Sequence, residues 1–262
     1  MTEINLNKII ENLIDTFLIA GRMSLDLRKK GLKKDIKSDN TPISNGDIEV
    51  NKLLIKKLLQ LTPDIPIVSE ETSHNKSNKN LKNFWLVDPI DGTYDYINDL
   101  EEFTINAGLI LNKKPVAGLI NAPAKQRMFY SYGKDFSFEL TNNKLTNLKC
   151  KSRRENKSIQ MVSYSNNLKP EIEKIYKKLN VTKHTRMKSS LKFCVIASGE
   201  YDGYVAEPRA CEWDIAAGHA IVENAGASIT DFKGNKIIYG KEHFKNTSLI
   251  VIGNKNLKWV SK

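Results

Sequence analysis

Hydrophobic residues recur at nearly helical spacing at the start of the chain. Between residues 4 and 18 the apolar side chains lie mostly three or four positions apart, which predicts an amphipathic helix that packs against a core. Glu11 and Asp15 interrupt this stretch, so it does not form the continuous apolar segment of a secretory signal. A polar turn follows, and the pattern then predicts a second helix from about Asp47 to Gln60.

Two short apolar runs come next, and each is followed by carboxylates. One ends at Val68 and the other at Val87, and both are rich in residues that favour strands. Three further apolar segments, at 105–111, 116–120 and 128–132, are separated by polar turns that contain lysine and proline. Apolar segments joined by short turns of this kind predict an antiparallel meander.

The second half of the chain alternates short strands with helices. The polar stretch 151–157 is predicted to be a linker. Helices are expected at about 170–179, 190–198 and 214–225. This alternation predicts an α/β domain. We therefore expect two domains, an N-terminal α+β domain over 1–149 and a C-terminal α/β domain over 150–262.

Size and charge narrow the choice of partners. With 262 residues the chain can bury a sizeable core. The net charge is +11, but the lysines are scattered through asparagine-rich stretches such as 75–80 and 177–180. We therefore expect attraction of small anionic molecules and no nucleic acid polymer as a partner. No apolar run approaches the roughly 20 residues that a membrane-spanning helix needs, so no membrane insertion is expected.

The cysteines and histidines do not follow a disulfide or zinc pattern. Cys150, Cys194 and Cys211 are odd in number and include no Cys-x-x-Cys pair, which favours a reducing, cytoplasmic location. The histidines are dispersed and show no His-Glu-x-x-His spacing. Zinc hydrolase chemistry is therefore not expected.

The strongest chemical signal is a set of three acidic clusters at strand ends or helix starts. They are 69–71 (Ser-Glu-Glu), 88–93 (Asp-Pro-Ile-Asp-Gly-Thr) and 211–218 (Cys-Glu-Trp-Asp-Ile-Ala-Ala-Gly). One such cluster could be an ordinary turn, but three favour a single assembled site. Oxygen ligands suit Mg²⁺ or Mn²⁺, which complete their coordination with water and substrate phosphate. The small residues at 216–218 would let the last helix approach the sheet closely.

These segments resemble a known family. Ser-Glu-Glu at 69–71, Asp-Pro-Ile-Asp-Gly-Thr at 88–93 and Trp-Asp-Ile-Ala-Ala-Gly at 213–218 are similar, in this order, to the lithium-sensitive, magnesium-dependent phosphatases related to inositol monophosphatase. The segments 102–106 and 189–194 are more similar to the branch that hydrolyses 3′(2′),5′-bisphosphate nucleotides. The resemblance implies an α/β (α+β) fold, a layered αβαβα sandwich with the site between its two halves.

The resemblance also implies metal ligands. They would hold two or three Mg²⁺ ions, with Mn²⁺ as a substitute and Li⁺ as the expected inhibitor. Asp88 would be shared between the first two ions, and Glu70 would also support a third, weaker ion near the attacking water. The implied ligands are Glu70, Asp88, the Ile90 carbonyl, Asp91 and Asp214.

Neighbouring residues would complete the hydrolysis of a phosphate ester. By resemblance, Thr93 and Asp47 form a proton relay that activates the water, and the amides of Gly92 and Thr93 bind phosphate oxygens. From the residues alone, Thr93 and Asp47 could instead be helix caps. Glu71 is either a partner of a metal-bound water or a solvated neighbour, and its spacing does not separate the two.

Substrate choice is expected to depend mainly on the C-terminal half. Ser190 and Lys192 match positions that contact the nucleotide in the bisphosphate branch, where the lysine would bind the phosphate that is not cleaved. The alternative for Lys192 is a solvent-facing helix residue. The chain lacks the arginine that this branch usually places after a nearby strand, and Arg209 would substitute from a shifted position. Glu207 instead matches an acidic residue that binds inositol hydroxyls in inositol monophosphatases, and Asp214 would contact the substrate in either case.

We therefore expect a Mg²⁺-dependent phosphomonoesterase that converts adenosine 3′,5′-bisphosphate to AMP and phosphate by means of a metal-activated water. The alternative is an inositol-1-phosphate phosphatase of the same family, with a non-catalytic anion-binding protein favoured less. A phosphatase of the haloacid dehalogenase type needs Asp-x-Asp, whereas two residues separate Asp88 from Asp91. A homodimer agrees with the resemblance.

Overall fold

The computed structural model describes residues 4–72, 76, 81–150, 158–254 and 257. The helices are α1 (Leu6–Lys30), α2 (Asn45–Leu61), α3 (Thr93–Ile97), α4 (Pro170–Lys178), α5 (Leu191–Ala197) and α6 (Glu212–Asn224). The strands are β1 (Lys34–Ile36), β2 (Pro42–Ser44), β3 (Ile67–Ser69), β4 (Phe84–Asp91), β5 (Thr104–Leu111), β6 (Lys114–Ala122), β7 (Arg127–Ser131), β8 (Ser137–Thr141), β9 (Lys144–Asn147), β10 (Ile159–Ser163), β11 (Val181–Arg186), β12 (Gly203–Ala206), β13 (Ser228–Thr230) and β14 (Leu249–Ile252).

The larger sheet has seven strands in the order β3-β4-β5-β6-β7-β8-β9. β3 and β4 are parallel, and every later pair is antiparallel, including the predicted meander of β5, β6 and β7. Central strands are apolar on both faces. Along β4, Trp85 and Val87 pack with α1 and α2, whereas Phe84 and Leu86 join the cluster that contains α5 and α6. Strands of this kind must be covered on both sides.

The second sheet has five strands in the order β11-β10-β12-β14-β13. Apolar residues of α5 and α6 form one buried cluster with both sheets, so these helices lie between the sheets. α4 covers the other face of the second sheet through Ile172 and Ile175. The layers therefore run from α1 and α2 through the first sheet, α5 and α6, and the second sheet to α4. The predicted αβαβα sandwich is confirmed.

α6 packs against the first sheet at two glycines. A Cβ atom on Gly108 would lie 2.7 Å from the side chain of Ala216, and one on Gly118 would lie 2.5 Å from the carbonyl oxygen of the next residue, Ala217. Any larger residue would push the helix away from the sheet. Gly218 was also predicted to take part in this contact. It instead lies against the ring of Phe193 on α5.

The first helix is longer than predicted. α1 continues well past residue 18 to Lys30, and its buried face in this second part is formed by Ala20, Gly21 and Ser24. Small residues contribute little to an apolar pattern, which explains why the sequence did not reveal this part of the helix.

Two elements near the acidic segments also differ from prediction. α2 begins at Asn45, because Ser44 occupies the N-cap and Asp47 lies in the first turn. β4 continues past its predicted end to Asp91, with an irregular register between Asp88 and Asp91. Both aspartates therefore leave from the strand itself.

Some predictions fall on residues that the structure does not describe. The predicted linker at 151–157, His74 and all of the polar stretch 75–80 except Lys76 lie outside the described residues. Among the described residues, no helix combines the length and the apolar character needed to cross a bilayer.

Candidate active site

Three carboxylates from distant parts of the chain meet near the end of β4. Glu70 lies in the turn after β3, Asp88 lies in β4 and Asp214 lies in the first turn of α6. One oxygen of each lies within 4.8 Å of the others. β3 and β4 are parallel neighbours, so their ends bring Glu70 and Asp88 together. The close packing of α6 on the sheet brings Asp214 to the same place.

Asp91 is connected to this group through Ser190. The Ser190 hydroxyl lies 2.8 Å from Asp91 Oδ2 and 2.5 Å from the Asp214 carbonyl oxygen, and it accepts a hydrogen bond from Asn106 Nδ2 at 3.1 Å. Ser190 is buried, and its hydroxyl is engaged within the protein. We call Glu70, Asp88, Asp91 and Asp214 the carboxylate cluster.

Burial and nearby negative charges destabilise the charged forms of the three aspartates of the cluster. Burial raises the pKa of Asp88 well above its usual range, and the charges of Glu70 and Asp91 raise it further. Burial also raises the pKa of Asp214, with Asp91 and Glu70 adding to the effect. The pKa of Asp91 is likewise raised by burial, although Lys192 opposes the shift. Crowded, buried carboxylates are stabilised by protonation or by a bound cation, and an all-oxygen donor set fits a hard divalent ion.

Lys37 contacts the carboxylate cluster, although nothing in the sequence marked it. Its Nζ donates to Glu70 Oε1 at 2.8 Å and to Glu71 Oε1 at 2.6 Å. Burial opposes the lysine's charge, but the two glutamates outweigh burial and raise its pKa. The Glu71 side chain is only 5% exposed, so it is a buried partner of Lys37 and not a solvated neighbour. Lys37 follows the short, exposed strand β1, where a lysine carries no functional signal.

Thr93 and Asp47 are in contact. Thr93 Oγ1 lies 3.1 Å from Asp47 Oδ1 and 3.0 Å from the Ile90 carbonyl oxygen, so its hydroxyl can donate to either. Asp47 is fully buried, and its other oxygen accepts hydrogen bonds from the amide and hydroxyl of Ser44. Burial raises the pKa of Asp47 despite these hydrogen bonds. A carboxylate with a raised pKa is a stronger proton acceptor, so this pair has the contact that a relay needs.

Gly92 forms the turn between β4 and α3. Its backbone is left-handed, with φ 93° and ψ 38°, and a Cβ atom here would lie 2.9 Å from the Glu102 carbonyl oxygen. Glycine is required on both counts. The turn places Gly92 in the wall of a cavity that adjoins the carboxylate cluster.

This cavity has a volume of about 400 Å³. Asp91 and Asp214 form part of its wall, so a bound molecule can reach the carboxylate cluster and the cavity at the same time. The wall combines aromatic with charged groups. These groups include Tyr94, Tyr164, Lys188, Lys192, Glu207 and Arg209.

Lys192 is buried in this wall and is not the solvent-facing residue of the alternative prediction. Its Nζ donates to the Ser189 carbonyl oxygen and lies 5.4 Å from the centroid of the Tyr204 ring. Burial lowers the pKa of Lys192 to about 8, although Asp91 opposes this shift. Its ammonium forms no ion pair with the carboxylates that the structure describes. A buried ammonium without such a partner is suited to bind an anion.

Glu207 and Arg209 meet at Tyr164. Glu207 Oε1 lies 3.0 Å from Lys169 Nζ and accepts a hydrogen bond from the Tyr164 hydroxyl at 3.2 Å, while Oε2 is buried without a partner among the described residues. The Arg209 guanidinium carbon lies 3.9 Å from the centroid of the Tyr164 ring. Both predicted specificity residues therefore line the same cavity, and Tyr164 is an aromatic contact that the sequence did not suggest.

Comparison with known proteins assigns the chain to a family. The model of the Inositol monophosphatase family matches residues 5–260. The 3′(2′),5′-bisphosphate nucleotidase CysQ of Salmonella typhimurium is 34% identical over 213 residues, covering 80% of this chain and 85% of that protein. The protein of the same name from Haemophilus influenzae is 26% identical over 259 residues, covering 96% of both chains. The crystal structure of CysQ from Bacteroides thetaiotaomicron is similar with a TM-score of 0.76 and 26% identity, covering 95% of this chain and 97% of that one. The chain thus belongs to the inositol monophosphatase family, a family of phosphatases.

Proposed function

We propose that this protein is a Mg²⁺-dependent phosphomonoesterase that hydrolyses 3′(2′),5′-bisphosphate nucleotides, such as adenosine 3′,5′-bisphosphate, to AMP and phosphate. The observation that carries the proposal is the carboxylate cluster opening onto a cavity that contains the buried ammonium of Lys192. The cluster suits the phosphate that is cleaved, and the lysine suits the one that remains. The nucleotidase names of the similar proteins agree with this proposal.

In this proposal Glu70, Asp88, the Ile90 carbonyl, Asp91 and Asp214 hold Mg²⁺. When bound, Mg²⁺ supplies neutralisation of the transferring phosphoryl group and of the leaving oxygen, and it lowers the pKa of the attacking water. Mn²⁺ would substitute, and Li⁺ would inhibit. Purified enzyme that is unaffected by millimolar lithium would contradict the last expectation.

Thr93 and Asp47 would remove the proton from the attacking water. Thr93 Oγ1 accepts that proton while its own proton passes to Asp47 Oδ1, which is 3.1 Å away. The water oxygen bonds to phosphorus, and the ester oxygen leaves with the electrons of the broken bond and takes a proton from solvent. The backbone amides of Gly92 and Thr93 bind phosphate oxygens and keep the phosphorus in line with the water.

One observation favours a second substrate class. Glu207 lines the cavity, and its carboxylate oxygen Oε2 has no hydrogen-bond partner among the described residues. A carboxylate in the cavity wall accepts hydrogen bonds from substrate hydroxyls, which inositol 1-phosphate presents in number. Inositol-1-phosphate hydrolysis is therefore the competing proposal.

The two substrates should be compared side by side. We expect Mg²⁺-dependent phosphate release from adenosine 3′,5′-bisphosphate with a higher kcat/KM than from inositol 1-phosphate. The opposite order would favour the inositol phosphatase and turn attention to Glu207. Release from neither substrate at any Mg²⁺ concentration would contradict both proposals.

The remaining expectations belong to the same proposal. The enzyme would act in the cytoplasm and could form a homodimer. It would comprise an N-terminal domain over 1–149, which carries most of the metal ligands, and a C-terminal domain over 150–262, which carries Asp214 and the specificity residues. Limited proteolysis that releases a fragment ending near residue 150 would support this division.

A further inference from the structure

Lys188 lines the same cavity as Lys192, and no motif in the sequence pointed to it. It lies between β11 and α5, just before Ser189, whose φ of 51° is in the left-handed region. The amide of Lys188 donates to Glu102 Oε2 at 3.1 Å, and this bond ties the backbone to the first half of the chain. The position of Lys188 is therefore fixed at its backbone.

The side chain of Lys188 is held as firmly as its backbone. Its ammonium forms an ion pair with Asp95 and lies 5.2 Å from the centroid of the Tyr94 ring. The Asp95 side chain is 3% exposed, whereas that of Lys188 is 28% exposed. The carboxylate is thus buried, whereas the Lys188 side chain is partly exposed and lines the cavity.

An ammonium in this arrangement keeps hydrogen-bonding capacity. Lysine carries three N–H donors, and the hydrogen bond of the Lys188 ammonium to Asp95 uses one of them. A buried ion pair contributes little to stability by itself, because desolvation offsets much of the attraction. Its effect here is to hold an ammonium at a defined point in a cavity beside the carboxylate cluster.

We propose that Lys188 and Asp95 form a second anion subsite, in which the Lys188 ammonium binds the phosphate of the nucleotide that is not cleaved, together with Lys192. This inference rests on the proposed function and deepens it, because it makes the pair a determinant of preference for bisphosphates over monophosphates. Asp95 orients the ammonium and weakens its attraction for phosphate by partly neutralising it. Replacing Lys188 should therefore lower the affinity for phosphate, whereas replacing Asp95 should maintain or raise it.

The test compares adenosine 3′,5′-bisphosphate with adenosine 3′-monophosphate, which differ only in the 5′-phosphate. The readout is the ratio of their kcat/KM values in Mg²⁺, for wild type and for Lys188→Met. We expect this ratio to fall at least tenfold in Lys188→Met, mainly through a higher KM for the bisphosphate. An equal loss on both substrates, or a ratio that changes less than twofold, would overturn the subsite.

Asp95→Asn gives the opposing measurement. The amide keeps the shape of the side chain and removes its charge, so the ratio should be maintained or rise. If Asp95→Asn lowers the ratio as much as Lys188→Met does, the pair is only structural and the proposal fails. Lys183→Met, an exposed lysine on β11, serves as the matched control and should leave the ratio at the wild-type value.

Two further measurements keep the outcomes distinct. One case is that Lys188→Met leaves Asp95 unpaired and unfolds. The double variant Lys188→Met/Asp95→Asn, which lacks the unpaired charge, then takes the place of Lys188→Met in the comparison with wild type. If the wild type hydrolyses neither nucleotide, the proposed function fails, and the subsite is tested by calorimetric binding of AMP. At least fivefold weaker AMP binding by Lys188→Met than by wild type would then support the subsite, and equal binding would overturn it.

Discussion

The carboxylate cluster and the cavity wall beside it are built in different ways. Carboxylates of the cluster leave from β4, from the turn after β3 and from the first turn of α6, whose positions are fixed by the packed layers. The charged residues of the wall leave largely from connections, with Lys188 before α5 and Glu207 and Arg209 after β12. Rigid elements suit groups that must keep precise geometry, and connections tolerate change. In the proposed function, reaction chemistry and substrate choice therefore reside in separable parts of the molecule.

Asp91→Asn should produce the largest effect. Loss of a cluster carboxylate should lower kcat by about 10³-fold or more for every substrate, since charge stabilisation in the transition state is lost. The fold should persist, because the amide has the same shape and relieves repulsion among buried carboxylates. Phosphate release and circular dichroism measure the two effects. Retention of more than about a tenth of the activity would remove Asp91 from the cluster's proposed role.

Thr93→Val should reduce kcat by about 10²-fold, which is the scale of losing a positioned proton acceptor. Unlike Asp91→Asn, it should keep the rise in Tm that Mg²⁺ produces, since the carboxylates remain. Thr93→Ser keeps the hydroxyl and serves as the control. If valine and serine variants lose the same activity, the hydroxyl does not take part in the relay.

Lys192→Met tests the role of the cavity wall. The kcat/KM for adenosine 3′,5′-bisphosphate should fall about tenfold to 100-fold, the equivalent of one lost charge-assisted hydrogen bond. The loss for inositol 1-phosphate should be smaller, because that substrate has no second phosphate. Equal losses on the two substrates would contradict a role in substrate choice and would weaken the division between cluster and wall.

The smallest expected effect is on stability, and it belongs to the cluster. The pKa values of Asp88, Asp91 and Asp214 are raised in the folded protein, so the folded state without metal binds more protons than the unfolded chain. Its stability should therefore fall as pH rises from about 4, the usual carboxyl range, towards neutrality. Mg²⁺ should offset this loss.

The measurement is Tm with EDTA and with Mg²⁺ at pH 5 and pH 7.5. The rise in Tm caused by Mg²⁺ should be a few degrees and larger at pH 7.5 than at pH 5. A rise that is equal or larger at pH 5 would show that the cluster carboxylates do not govern metal binding.

The two regions also differed in how far the sequence predicted them. The cluster could be predicted from the sequence, because Glu70, Asp88 and Asp214 stand next to apolar runs or at a helix start, where the local pattern indicates the end of an element. The roles of Lys37 and Lys188 could not be predicted from the sequence, because each is one lysine among 41 basic residues in the chain. Their contacts with Glu70 and Asp95 arise only when distant segments pack together.

The fold shows the same limit. Its layered arrangement was implied by the family resemblance alone, whereas the meander of β5, β6 and β7 was predicted from the apolar pattern and is confirmed. The second part of α1 was missed because its buried face is made of small residues. Ser190 lines the cavity, as its predicted contact with the nucleotide needs, but the sequence did not reveal that its hydroxyl also lies between Asp91 and the Asp214 carbonyl oxygen. Such a position depends on tertiary packing, which a one-dimensional pattern does not record.

The contact of α6 with Gly108 and Gly118 sets a practical rule for engineering. Exchange of the segments around Lys188 and Glu207 with those of a related protein should leave this contact intact, so the proposed determinants of substrate preference can be changed locally. Exchange of whole halves would separate Asp214 from the sheet that positions it. Chimaeras of that kind would require the donor helix to carry alanine-sized residues opposite both glycines.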